Sequence, residues 1–173
     1  TITKYGNISH EASEKKFEAS SIYFDGAGYL VLSDSPDFDL TSSWTIEFWV
    51  NPTETFNQNG NNSGYGTLVS KGQYGTDGHR NYEITLGNDG SGNLRVNVYG
   101  AGTTNYGNTN IPINTWTHIA VVNDNNILSI YVGGVRDSGN YPSWTVGATN
   151  DHSLYIGAQN SDGSMNGFTF KGY

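Results

Sequence analysis

Residues 117–137 read THIAVVNDNNILSIYVGGVRD, in which short polar turns separate runs of apolar residues. Residues 124–126 (Asp-Asn-Asn) form a tight turn, because Asp and Asn tolerate the left-handed backbone region. Residues 133–134 (Gly-Gly) form a two-residue turn that needs positive φ, which glycine adopts without strain. The segment therefore predicts an antiparallel meander of three strands.

The same alternation of apolar runs and turns continues through most of the chain, at the spacing of a sandwich or barrel. The longest run, residues 44–50 (Trp-Thr-Ile-Glu-Phe-Trp-Val), has an aromatic side chain on each face. This pattern predicts a central strand that is covered on both sides. Further strands are predicted at residues 21–24, 29–32, 67–70, 82–86, 94–99 and 153–156.

The composition agrees with an all-β chain. Gly, Asn, Ser and Thr make up 78 of the 173 residues, and aromatic residues contribute 13%. Turn-forming residues combined with Tyr, Val and Ile favour short strands joined by turns. Residues 11–18 are compatible with one or two exposed helical turns, which would not change the class.

Charge and composition exclude several functions. The net charge of −8, with only eight Lys and Arg residues, leaves no basic surface for nucleic acid. An anionic membrane would repel the chain for the same reason, and no run of 18 apolar residues is present for membrane insertion. The absence of cysteine removes disulfides, Cys-ligated zinc and thiol nucleophiles.

Several stretches match, in the right order, the strands of a known family. They are residues 21–26, 29–32, 35–40, 44–52, 68–72, 116–121, 128–134 and 154–157. Together they resemble laminin-G-like, concanavalin A-like lectin/glucanase domains, over roughly residues 17–172. The resemblance implies an antiparallel jelly-roll β-sandwich. Residues 16–21 also resemble versions of this module in phage virion proteins.

The resemblance suggests how the chain is divided. We expect residues 1–20 to form an N-terminal lead-in segment and residues 21–173 to form the sandwich. The family normally continues after a Gly-aromatic step into Ile-Asp-Glu and a hydrophobic-Arg-hydrophobic strand, whereas residues 166–173 stop just before it. The sandwich is therefore expected to lack its last strand and to belong to a larger polypeptide.

The carboxylates do not form the pattern of a glucanase. A glucanase of this fold would carry carboxylates at alternate positions of one strand, as in Glu-x-Asp-x-x-Glu, because glycoside hydrolysis uses a pair of them. Glu47 and Glu83 each stand alone, and Asp34, Asp37 and Asp39 lie in a Ser/Pro turn. That turn suits capping or, alternatively, calcium binding. We predict no catalytic residue and a domain that is not an enzyme.

Asp25, in a Phe-Asp-Gly turn, is the candidate metal ligand. Carboxylate oxygens suit calcium, and similar domains often hold a structural calcium ion near their termini. The resemblance thus implies calcium as the one candidate cofactor. The alternative is that Asp25 accepts hydrogen bonds from its own backbone in an Asx turn.

The loops combine aromatic rings with amide and carboxylate side chains. Tyr or Trp can cover the apolar face of a sugar ring, while Asn and Asp bind its hydroxyl groups. The alternative for each ring is that it folds back and caps an end of the core. The candidate ligand-binding residues are Tyr65, Tyr74, Asp77, Asn105, Tyr106 and Trp144.

These features and the resemblance together favour a non-catalytic binding module. We expect it to recognise carbohydrate on a cell or host surface, as part of a larger extracellular or virion-surface protein such as a phage fibre. The alternative is a structural virion module, such as a capsid decoration, whose loops contact neighbouring protein subunits without binding glycan.

Overall fold

The computed structural model describes residues 1–56, 64–73, 80–100, 102–139, 141, 144–145, 147–161, 164–165 and 168–173. Its strands are β1 (Ile2–Tyr5), β2 (Ile8–Glu11), β3 (Ser21–Asp25), β4 (Tyr29–Leu32), β5 (Ser43–Val50), β6 (Tyr65–Gly72), β7 (Arg80–Asn88), β8 (Leu94–Tyr99), β9 (Thr104–Tyr106), β10 (Thr117–Asp124), β11 (Ile127–Val132), β12 (Val135–Arg136), β13 (Leu154–Ile156), β14 (Asn160–Ser161), β15 (Ser164–Met165) and β16 (Lys171–Gly172). One 3-10 turn covers Pro36–Phe38, and residues 12–19 form bends rather than helical turns. In this described part of the chain, no helix is long and apolar enough to cross a membrane.

The strands form an antiparallel β-sandwich. The larger sheet has the order β1-β4-β13-β6-β7-β8-β9, and the smaller sheet has the order β12-β11-β10-β5. β16, β3 and β2 form a third sheet near the chain termini, and β14 pairs with β15. Strands distant in sequence are neighbours in both main sheets, as in a jelly roll. The predicted fold class is therefore confirmed.

The meander of residues 117–137 is present in the smaller sheet. Asp124 pairs with Ile127, and Val132 pairs with Val135, so each connection is a two-residue hairpin turn. The four turn residues all have positive φ: 50° and 68° at positions 125 and 126, and 60° and 80° at positions 133 and 134. These are the turns whose twist matches that of the flanking strands.

The hydrophobic core lies between the two main sheets. Alternate residues of each strand point into it, because successive side chains of a strand face opposite ways. The larger sheet contributes Ile84, Leu86, Val96 and Val98, and the smaller sheet contributes Ile119, Val121, Leu128 and Ile130, all of them buried. The remaining residues of β7 and β8 therefore face the other side of the larger sheet.

β5 lies at the edge of the smaller sheet, so the prediction of a central strand is wrong. In the described part of the chain β5 pairs only with β10. Its outward ring, Trp49, remains 37% exposed and contacts the Phe17 ring at 5.6 Å between centroids and the Lys16 ammonium at 4.1 Å. The aromatic residues on one face of β5 thus pack against the core, and Trp49 on the other face packs against the N-terminal segment.

The N-terminal segment is built into the sandwich rather than leading up to it. β1 pairs with β4 at the edge of the larger sheet, and β2 pairs with β3. The Glu14 carboxylate accepts hydrogen bonds from Trp116 Nε1 at 2.7 Å and from Asn51 Nδ2 at 3.2 Å. Residues 1–20 therefore pack with the residues that follow them.

Candidate functional site

The face of the larger sheet that points away from the core carries a cleft of about 170 Å³. Glu83 and Thr85 of β7 and Tyr99 of β8 line it, because they alternate with the core residues of the same strands. β6 and β9 add one tyrosine each, and two further residues come from the C-terminal part of the chain. Among the described residues, the lining consists of Tyr65, Arg80, Glu83, Thr85, Tyr99, Tyr106, Gln159 and Phe168.

The walls of this cleft are aromatic. The Tyr65 and Phe168 rings have centroids 6.2 Å apart, and the Tyr106 ring is 58% exposed at the rim. The guanidinium carbon of Arg80 lies 5.0 Å from the centroid of Tyr99. The cleft therefore presents several ring faces on which the apolar face of a ligand can stack.

The floor is polar and centres on the buried carboxyl group of Glu83. Its Oε1 accepts hydrogen bonds from Gln159 Nε2 at 2.5 Å and from Thr67 Oγ1 at 3.2 Å, and Arg80 Nε lies 3.3 Å from Oε2. Burial raises the pKa of Glu83, although Arg80 and these hydrogen bonds oppose the rise. Arg80 and Glu83 thus offset each other's charge within the cleft.

Gln159 lies in the same floor. Its side chain is buried, with 6% of the residue exposed, and its Nε2 is committed to Glu83. Its Oε1 has no hydrogen-bond partner among the described residues. This oxygen has less than 1 Å² of accessible surface, so the Gln159 amide holds the Glu83 carboxyl group and does not offer an acceptor to a ligand.

Two of the six predicted ligand-binding residues, Tyr65 and Tyr106, come together in this cleft. Asn105 does not join them, because it pairs with Val98 and points with it towards the core, where it is buried. Both polar atoms of its amide lack a partner among the described residues. Tyr74 and Asp77 lie outside the described residues.

Trp144 lies in the core, which corrects its prediction as a ligand-binding residue. None of its surface is exposed, and its ring packs edge-to-face on Trp44 with centroids 5.1 Å apart. Gly100 lies against it so closely that an added Cβ would approach the indole to 2.7 Å. The Trp144 ring caps the core, which is the alternative that the sequence analysis gave for each loop aromatic residue. It therefore offers no face to a ligand.

The sequence interpretation missed Arg80, Thr85, Tyr99, Gln159 and Phe168. Glu83 was considered only as an isolated acid. The alternation of residues in β7 nevertheless places it on the face of the strand that points away from the core residues Ile84 and Leu86. Gln159 and Phe168 follow β13 and reach the cleft only through the crossing of distant strands. No local signal in the sequence marks them as part of a site.

Asp25 fits the Asx-turn alternative better than a calcium site. Its Oδ1 accepts hydrogen bonds from the N–H groups of Ala27 and Gly28, at 2.9 and 2.8 Å. Burial by itself raises its pKa, but these bonds and the Asn7 side chain lower it overall. Calcium takes six to eight oxygen ligands, whereas the described residues contain no group of three or more His, Asp or Glu suited to a metal.

A lysine neutralises the other acidic turn. Lys71 Nζ is fully buried and lies 2.5 Å from Asp34 Oδ1 and 3.6 Å from Asp39 Oδ1. It also donates to the backbone carbonyls of Asn150 and His152, at 2.9 and 2.5 Å. Two of the three carboxylates considered for calcium, those of Asp34 and Asp39, therefore face an ammonium group, and the contacts of Lys71 connect three segments that are distant in sequence.

The fold is shared with several solved structures. Domain 4 of an extracellular arabinanase from Geobacillus stearothermophilus, solved in complex with arabinotriose, is 22% identical, with 99% of this chain and 77% of that chain covered and a TM-score of 0.62. The sialidase CBM40 of Ruminococcus gnavus is 15% identical, with coverages of 87% and 83% and a TM-score of 0.64. The enzymatically active domain of tailspike protein 2 from bacteriophage CBA120 is 16% identical, with coverages of 99% and 27% and a TM-score of 0.65.

At these identities the likeness to solved structures concerns the fold alone. No curated protein sequence matches the chain. A laminin G-like family model, described as the concanavalin A-like lectin/glucanases superfamily, matches residues 24–172, which contain the eight described residues that line the cleft. The chain belongs to the concanavalin A-like lectin/glucanases superfamily.

Proposed function

We propose that this domain is a non-catalytic carbohydrate-binding module whose ligand occupies the cleft on the outer face of the larger sheet. The observation that carries the proposal is the set of aromatic rings that line the cleft, with the 58% exposed ring of Tyr106 at its rim. A sugar ring combines an apolar face with hydroxyl groups, so it can stack on Tyr65 or Tyr106 while its hydroxyl groups meet the polar groups of the same cleft.

The structural relatives support this class of ligand. The arabinanase domain was solved with arabinotriose, and the Ruminococcus gnavus domain is a carbohydrate-binding module of a sialidase. The alignments include 99% and 87% of this chain, and 77% and 83% of the arabinanase domain and the sialidase module. The laminin G-like family model likewise belongs to a superfamily described as lectins and glucanases.

The carboxyl groups of the cleft support binding without catalysis. Glu83 is the single Asp or Glu among the described residues that line it, and Arg80 pairs with it. Glycoside hydrolysis by the common mechanisms uses two carboxyl groups that flank the scissile bond. Glu83 is better suited to holding Gln159 and Arg80 in position.

The charges of the cleft favour an uncharged sugar. Arg80 is the one cationic group of the described lining, and Glu83 offsets its charge. The chain as a whole carries a net charge of −8, which repels anionic ligands. We therefore expect neutral glycans to bind more tightly than sialylated or uronic-acid glycans.

A glycan array, followed by calorimetric titration of any hit, tests this proposal. We expect saturable binding to a neutral glycan, and we expect Tyr106→Ala and Tyr65→Ala each to weaken it by about tenfold or more, which is about 1.4 kcal/mol. Trp49→Ala is the matched control, since Trp49 is also a half-exposed ring but lies on the other main sheet. An array without binding, from protein with native near-UV circular dichroism and with or without calcium, would overturn the proposal.

The setting of the module is also a proposal. We propose that it acts outside the cell, as part of a larger extracellular or virion-surface protein that recognises carbohydrate on a cell or host surface. The phage tailspike domain with the same fold supports the virion setting, and the domain of the extracellular arabinanase supports the extracellular one. Sequencing the complete coding region around this domain distinguishes the two settings.

A structural module that contacts neighbouring subunits is the second candidate. Ile127 and Val135, which lie near opposite ends of β11, are 65% and 71% exposed, and each is an apolar group that suits a protein contact. A silent glycan array together with stable oligomers in sedimentation velocity, abolished by Ile127→Asp, would support this candidate over the first.

A further inference from the structure

Lys71, near the end of β6, points its ammonium group into a cradle of oxygen atoms, and its side chain has no exposed surface. Five oxygens face Nζ at 3.6 Å or less. Two are carboxylate oxygens, at 2.5 Å from Asp34 and 3.6 Å from Asp39. The other three are the backbone carbonyl of His152 at 2.5 Å and the backbone and side-chain oxygens of Asn150 at 2.9 and 3.5 Å. We call these five oxygens the Lys71 cradle.

Two tight turns hold the oxygens of the cradle in place without help from Lys71. Asp34 and Asp39 flank the 3-10 turn Pro36–Phe38, which closes when the N–H of Asp39 donates to the carbonyl of Pro36 at 3.2 Å. On the other side, the N–H of His152 donates to Asn150 Oδ1 at 3.2 Å. The cradle is therefore assembled from segments that have their own local hydrogen bonds.

The cradle offers more oxygen than an ammonium group can use. A lysine ammonium has three N–H donors, and the short contacts to Asp34, Asn150 and His152 account for all three. Asp39 Oδ1 has less than 1 Å² of accessible surface and no hydrogen-bond partner among the described residues. Two ionised carboxylates also carry one negative charge more than a single ammonium balances. Oxygen-rich, negatively charged sites of this kind suit a hard divalent cation such as calcium.

We propose that the Lys71 ammonium is the structural cation of this domain and occupies the position that a divalent cation would take in the cradle. The family resemblance implies calcium, but the group that meets Asp34 and Asp39 belongs to the chain itself. The domain therefore needs no calcium for its stability. This proposal does not depend on glycan binding.

The same geometry makes the cradle a calcium site once the ammonium is removed. Calcium takes about six to eight oxygen ligands, from carboxylates, carbonyls and water. The cradle supplies five oxygens, and water can reach it beside Asp34, whose side chain is 36% exposed. Lys71→Ala deletes the ammonium and its stem, so it leaves both the ligands and the space for an ion.

Thermal unfolding in EDTA and in millimolar calcium tests the proposal. The unchanged domain should have the same melting temperature in both solutions. Lys71→Ala should melt at a lower temperature in EDTA, because it leaves partly buried carboxylates without their counter-charge. Calcium should then raise the melting temperature of Lys71→Ala by about 5 °C or more.

Lys71→Met is the matched control. Its unbranched side chain fills the space of the lysine stem but carries no charge, so it should be destabilised in EDTA and should gain nothing from calcium. A Lys71→Met domain as stable as the unchanged one would show that the ammonium is not a structural cation. Equal gains of Lys71→Met and Lys71→Ala in calcium would place the bound ion elsewhere. Either result would overturn the proposal.

Terbium luminescence locates the ion directly, since terbium(III) binds to calcium sites and is excited through a nearby aromatic ring. Tyr82 is opposite Lys71 in the sheet, and burial and then the charge of Asp39 raise the pKa of its hydroxyl, which places the ring near the cradle. We expect calcium-displaceable luminescence from Lys71→Ala. The luminescence should be weaker when Asp39→Asn is added and absent from Lys71→Met. Lys71→Ala that folds but does not bind terbium would contradict the proposal.

Asp34→Asn provides the test if Lys71→Ala does not fold. With the ammonium as resident cation, the loss of stability in Asp34→Asn should be the same in EDTA and in calcium. If calcium instead raises the melting temperature of the unchanged domain, and Asp34→Asn abolishes that rise, the native cation is a metal ion and the proposal is wrong.

Discussion

At the scale of single residues, two buried carboxyl groups respond to the fold in opposite ways. Burial raises the pKa of Glu83. Burial alone would also raise the pKa of Asp137, but the N–H groups of Asn108, Thr109 and Gly139 and the Tyr141 hydroxyl all donate to it and lower its pKa far below the ordinary value. The Asp137 carboxylate thus connects two loops through its hydrogen bonds, whereas burial of Glu83 in the cleft disfavours its charged form.

The raised pKa of Glu83 predicts a pH dependence of stability. Between its unfolded pKa, near 4.5, and its higher folded pKa, the folded state binds more protons than the unfolded state. The free energy of unfolding should therefore decrease as the pH rises through this window, and Glu83→Gln should flatten the decrease. Urea unfolding of both proteins from pH 4 to pH 8 measures it. Parallel pH profiles for the two proteins would contradict the prediction.

Asp137 supplies the internal comparison for that experiment. Its pKa is lowered, so its stabilising effect is present above pH 3.8 and is lost only as the pH falls below that value. Asp137→Asn should therefore lose stability at neutral pH and leave the slope between pH 4 and pH 8 unchanged. The two variants separate burial from hydrogen bonding as causes of the two pKa shifts.

At the scale of elements, backbone geometry determines which substitutions the hairpin turns tolerate. Gly134 has a φ of 80°, and an added Cβ would meet no atom within 4 Å. Gly134→Ala should therefore cost about 1–2 kcal/mol through backbone strain alone. Asn125→Gly, at a φ of 50°, should be neutral or slightly stabilising. Chemical denaturation of the two variants measures their free energies of unfolding. An equal loss of stability in both would show that the positive φ is not the cause.

Strand alternation explains why the predicted site divided into two groups. Tyr106 and Asn105 are adjacent in β9, yet one lines the cleft and the other faces the core. A short strand inside a polar stretch carries too few apolar residues to reveal which side is inward. The pairing of β9 with β8 decides it, because Asn105 is opposite the core residue Val98.

At the scale of the whole molecule, two aromatic residues from polar loops have separate roles. Trp144→Ala removes a ring with no exposed surface and should lower the free energy of unfolding by about 3–5 kcal/mol. Tyr106→Ala removes an exposed ring and should lower stability little while it weakens glycan binding. Denaturation and titration of both variants measure the difference. A Trp144→Ala domain of native stability, or a Tyr106→Ala domain that unfolds, would contradict it.

Local patterns in the chain suffice for the fold class and for most strands. Period-two alternation is itself the physical signature of a half-buried strand, and the Asn-Asn and Gly-Gly turns need nothing beyond their own backbone preferences. Residue type and position also placed Tyr65 and Tyr106, which line the cleft, among the candidates. Because aromatic rings in polar loops suit both sugar stacking and core capping, the same reasoning also selected Trp144.

Long-range packing decided the rest. The edge position of β5, the burial of Trp144 and the meeting of Gln159 with Glu83 all depend on strands that are far apart in sequence and adjacent in space. Residue type cannot reveal such neighbours, because the same side chain is favourable in a cleft or in a core depending on what surrounds it. The cleft exists only once the larger sheet has assembled, and its chemistry is therefore a property of the tertiary structure.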